Sequence, residues 1–153
     1  MRDKRFVAVH CGGPLSKDHH RLLISWATDC AEHVLPLFEG EDKRLHHALE
    51  VARAWVKGET SVGEARKVSV GAIALAREST HLASVAVARA VGHAVATAHM
   101  ADHSTRAADY ALKAIKAVGQ STELQRRWQD DQLPGDIREL ILSARSQRGL
   151  PIN

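Results

Sequence analysis

The stretch Ser79–His103, STHLASVAVARAVGHAVATAHMADH, constrains the fold more than any other part of the chain. From Ser79 to Ala101, Arg89 is its one fully charged residue, and Ala and Val fill most of the rest. Ala is the strongest helix former, so the composition predicts helix. A helix that is apolar all round must be buried in protein or lipid. Residues 82–101 approach the length of a membrane span. They also hold Ser84, Arg89, Gly92, His93, Thr97 and His99, and they are rich in Ala rather than Leu. Those polar groups need partners, so the segment reads as the central helix of a protein core.

The flanking sequence supplies helices to surround it. Gly12-Gly13-Pro14 closes an N-terminal arm over residues 1–15, with Phe6–Val9 as a strand or an extended lead-in. Ser16 is placed to cap a first helix, on which Leu22, Leu23, Trp26, Ala27, Cys30, Val34 and Leu37 recur at helical spacing before Pro36 and Gly40. A second helix fits Asp42–Lys57, stopped by Gly58. Ser61 and Glu64 form a capping-box pattern for a third helix, running to about Arg77. Ser104 is expected to cap a fifth helix ending at Gly119, and a short helix surrounds Trp128. Beyond the break Leu133-Pro134-Gly135, a last amphipathic helix and tail occupy residues 133–153. The expected fold class is all-α: one domain over residues 1–153, a bundle of six or seven helices around the Ala-rich one.

Charge and cysteine usage narrow the function classes. The formal net charge is +3. Residues 1–60 are balanced at nine basic and nine acidic side chains, while residues 61–153 carry twelve against nine. There is no dense Lys/Arg block and no aromatic–basic platform, which disfavours nucleic acid as a partner. The two cysteines, Cys11 and Cys30, make neither a metal pair nor a disulfide framework, as expected of a reduced cytoplasmic protein. No apolar run at the N-terminus suits a signal peptide, and no membrane association is expected. No P-loop, dinucleotide fingerprint or Ser-His-Asp order is present, and no cofactor is expected.

On a helical wheel, Arg89, His93 and Thr97 fall one turn apart on one stripe, and His99 and His103 lie on the adjoining stripe. A buried guanidinium would need a carboxylate or several carbonyl partners, and Asp29, Glu32, Glu50 and Glu64 stand on neighbouring helices. Two readings follow. One is a structural polar network that fixes helix register; the other is a pocket with His as acid, base or ligand. The residues favour the first. His99 and His103 have the i,i+4 spacing that lets two imidazoles share a metal, but no third ligand is apparent, so no metal is assigned. Glu50 and Arg53 share a helix face, as do Asp29 and Glu32. Trp26, Trp55 and Trp128 are core anchors or, at a groove, interface anchors.

Several stretches together resemble a known family. They are GGPLSKDHHRLLISWATDCAEHVLPLFE, ALEVARAWVKGE, VGEARK, ARAVGHAVATAHMADH, AADYALKA and WQDDQLP, spanning Gly12 to about Leu142. The chain resembles the small helical immunity proteins of bacterial polymorphic toxin systems. One departure is the short charged turn GEDKRLHH after Phe38, in place of a longer proline-containing segment. The resemblance implies an all-α fold and neutralisation of a cognate toxin by binding, with no catalysis required. The alternative is a small-molecule-binding or resistance protein, an enzyme in one version, with a pocket lined by Arg89, His93, His99 and His103. Either a monomer or a homodimer is compatible with the Ala-rich faces.

Overall fold

The computed structural model describes residues 2–147 and contains seven α-helices among them. These are α1 (Lys17–Val34), α2 (Lys43–Val56), α3 (Val62–Glu78), α4 (Leu82–Ala96), α5 (His103–Ala117), α6 (Thr122–Asp131) and α7 (Gly135–Gln147). Side-chain caps set most of the starts. The oxygens of Ser16, Asp42, Ser61 and Ser121 each accept from a backbone N–H in the first turn of the helix that follows.

The central position belongs to α4, whose residues from Ala83 to Ala96 are buried save Val85, Arg89 and His93. It packs against α1, α2, α3 and α5. Small side chains allow this crowding. A Cβ added at Gly92 would stand 2.5 Å from Cγ1 of Ile73 on α3, so glycine there lets the two helices close on each other. The outer helices then complete the shell, α6 against α5 and α7 against α1.

Three expectations are corrected. The N-terminal arm is not extended: Lys4–Phe6 and Val9–Cys11 are turns of 3-10 helix, and Ala8 pairs with Leu15. Gly13 lies so close to the Val7 backbone that no side chain fits, and Phe6 is buried beneath the arm. The central helix does not run to His103. It stops at Ala96, and a corner over residues 97–102 leads into α5. The carbonyl of Thr97, which a continuing helix would offer to the N–H of Ala101, instead accepts from the buried His20 ring at 2.6 Å. The next N–H groups, of Ala98 and His99, reach back three residues rather than four and tighten the turn. Ser104 is not the cap of α5: the helix begins at His103, Asp102 holds the cap position, and the Ser104 hydroxyl donates to the Ala101 carbonyl. The C-terminal helix is found as expected, and the tail beyond residue 147 lies outside the described residues.

Candidate functional site

The corner after α4 folds His103 back onto His93. Their Nδ1 atoms are 2.8 Å apart, a hydrogen-bond distance at which one nitrogen donates and the other accepts. The pair therefore holds one proton between the two rings. His93 also stacks on Tyr110 of α5, with ring centres 5.2 Å apart and planes 7° from parallel. His99 sits against His103 at 5.4 Å. So His93, His99 and His103 do meet, but around a corner rather than along one helix, and the i,i+4 argument for a metal pair does not apply. Among the described residues, no group of three or more His, Cys, Asp or Glu side chains is arranged to hold a metal ion.

Cations surround the stack. The Arg89 guanidinium lies 5.7 Å from the Tyr110 ring centre and the Lys113 ammonium 4.7 Å from it, both within cation–π range. Arg89 is exposed rather than buried, and its side chain reaches outward along the ring instead of inward. This corrects the expectation of a buried guanidinium paired with a carboxylate. Among the described residues none of Arg66, Arg89 and Arg106 forms an ion pair. Burial pushes His93 down to about 4, helped by His103, Arg106 and Arg89. His99 and His103 are also held below the ordinary histidine value, chiefly by burial, with Asp102 opposing. The rings are thus neutral near pH 7, and the face takes its positive charge from arginine and lysine.

The remaining candidates divide. Asp29 and Glu32 both meet Arg53, at 2.7 and 3.6 Å, in a half-exposed group on α1 and α2. Glu50 is exposed and takes no part in it. Thr97 joins neither group: its hydroxyl donates to the His93 carbonyl and caps the end of α4. Trp26 is 1% exposed, so it is a core residue and no interface anchor. Trp55 is half-buried against His20, with ring centres 4.8 Å apart, and Trp128 is half-buried against His33. Arg89, His93, His99 and His103 line none of the grooves at the N-terminal arm, the turn between α1 and α2, α6 or α7.

The buried arginine is another one. Arg145 on α7, with 3% of its side chain exposed, bonds Asp130 at 2.8 Å and the Gln129 side-chain oxygen at 2.5 Å. Its guanidinium stands 5.2 Å from the Trp26 ring, and the Trp26 indole N–H donates to the Gln129 carbonyl at 2.8 Å. The Gln129 amide in turn donates to the Ala108 carbonyl. Nearby Cys30 is fully buried, and burial pushes its thiol far above the usual range, so it is no nucleophile. Sequence reasoning missed this network. The polar Gln129 and Arg145 at core-facing turns of α6 and α7 were the signal available.

Residues 13–136 match the family model described as Imm-5 like putative immunity protein. No curated protein and no solved structure matches the chain.

Proposed function

The chain belongs to the Imm-5 like putative immunity protein family, and from that premise we propose that it neutralises a bacterial toxin by binding it. The whole chain acts as one helical domain in this reading, and no catalytic step is required. The docking face is the cationic and aromatic surface of α3, α4 and α5 around Tyr110. The observation that carries this assignment is a surplus of charge. Arg66, Arg89 and Arg106 have no carboxylate partner among the described residues; Arg89 and Lys113 lie over Tyr110, Arg106 acts on His93 and Arg66 on the neighbouring His99. Val70, 63% exposed, lies one helical turn from Arg66 and adds apolar surface. Arginine and tyrosine are, with tryptophan, the residues that most often dominate interface energies. A partner with an acidic surface fits this face, with steering that salt would screen.

The test is co-expression with each candidate toxin domain encoded near this chain. The chain should protect the cell and co-purify with the toxin. The charge-reversed double variant R89E/K113E should keep its helical content yet lose protection and bind at least tenfold more weakly. Unchanged binding by that variant would place the interface elsewhere. No complex with any neighbouring toxin would remove the reading itself.

A further inference from the structure

A second recognition feature lies apart from the cationic face. The N-terminal arm, the first turns of α1, the end of α2 and the start of α3 enclose a groove of about 620 Å³. Val9, Leu15, Trp55 and Val62 supply its apolar walls, and Lys17 and Arg21 its charge. Among the described residues, no acidic side chain lines it. Arg21 is the unusual member. Its Nε is buried without a partner, and among the described residues the side chain makes no hydrogen bond or ion pair. An orphaned buried donor on a charged group is costly, so it calls for an acceptor. The guanidinium lies over Gly58, whose φ of +75° keeps a side chain from that spot. Its terminal nitrogen at Gly58, on the groove wall, is the end offered to a ligand, and arginine terminal nitrogens pair with the oxygens of a carboxylate or phosphate.

The apolar wall is fixed in place. His20 donates from Nε2 to the Thr97 carbonyl at 2.6 Å, and its ring packs on Trp55. Thus the indole face beside Arg21 is held by a bond to the corner of α4, and a ligand would not have to order it. We propose that this groove binds a small organic oxyanion with a flat apolar body. The oxyanion sits on Arg21, assisted by Lys17, and the body lies against Trp55. The site is independent of the toxin-docking face, and its failure would leave that reading untouched.

The experiment is a titration of the full chain with benzoate, followed by NMR at the Trp55 indole and Arg21 Nε–H signals. Inorganic phosphate and benzyl alcohol are run in parallel. Benzoate should give saturable shifts at both signals, and neutral benzyl alcohol should not saturate. Phosphate saturating at lower concentration than benzoate would assign the natural ligand to the phosphates. Carboxylates are assigned if benzoate saturates first. Arg21→Gln should weaken binding at least tenfold while the Trp26 and Trp128 indole signals stay in place, and Lys17→Gln should weaken it less. Linear, unsaturated shifts with both anions would overturn the proposal. So would Arg21→Gln binding them as tightly as the unaltered chain, or benzyl alcohol matching benzoate.

Discussion

The molecule holds two arginine–aromatic clusters that use the same chemistry to opposite ends. Around Trp26, Arg145 is enclosed, and its charge is answered by Asp130 and Gln129. Around Tyr110, Arg89 and Lys113 stand at the surface, and Arg89 has no carboxylate in reach. A buried ion must be answered within the chain, because water cannot do it. An exposed one carries no such obligation and stays available to another molecule. The closed cluster therefore belongs to stability and the open one to recognition.

This division sets the size of each expected effect. Arg145→Ala removes the cation from a buried pair and should cost on the order of 3–5 kcal/mol, read as a lower midpoint in urea. A loss below about 1 kcal/mol would mean that the closed cluster is no structural keystone. Acid comes next. The folded values of His20, His93, His99 and His103 all lie below the ordinary one, so in the acid range the unfolded chain binds more protons. Stability is then fully present above about pH 6.5 and falls as the pH drops toward the value of about 4 at His93. Water reaches part of the His93, His99 and His103 rings, which keeps the loss to roughly 2 kcal/mol. Thermal melts between pH 7 and pH 4 measure it, and H93Q should flatten the profile, whereas R145A should shift it down without changing its shape. The smallest effect on folding belongs to Arg89→Ala, expected within about 0.5 kcal/mol. Its consequence should appear only in toxin affinity, by calorimetry. If R89A destabilised the chain as much as R145A, the contrast between the clusters would collapse.

The helix starts were legible because caps are local: Ser16 and Ser61 each lie within three residues of the N–H they bond. His93, His99 and His103 meet, but around a corner that a helical wheel does not contain. What could not be read was the end of α4. Nothing in residues 97–102 is Gly or Pro, and the break depends on a ring 77 positions away taking the Thr97 carbonyl. The fate of Arg89 was hidden for a related reason. A wheel gives a residue's direction but not whether a long side chain turns outward, and here Tyr110 on the next helix decides it. Arg145 looked like an ordinary basic residue in a last helical turn, and its burial follows from Trp26, at the other end of the chain. Local signals thus revealed the elements, while the polar contacts that select one arrangement are long-range.

The bond from Trp26 to Gln129 joins positions 103 residues apart. During synthesis the first helix leaves the ribosome with the indole N–H of its largest aromatic ring unmatched. The partners arrive only with α6 and α7. A chain released before residue 129 would expose an apolar ring with a polar tip, a combination that chaperones and proteases act on.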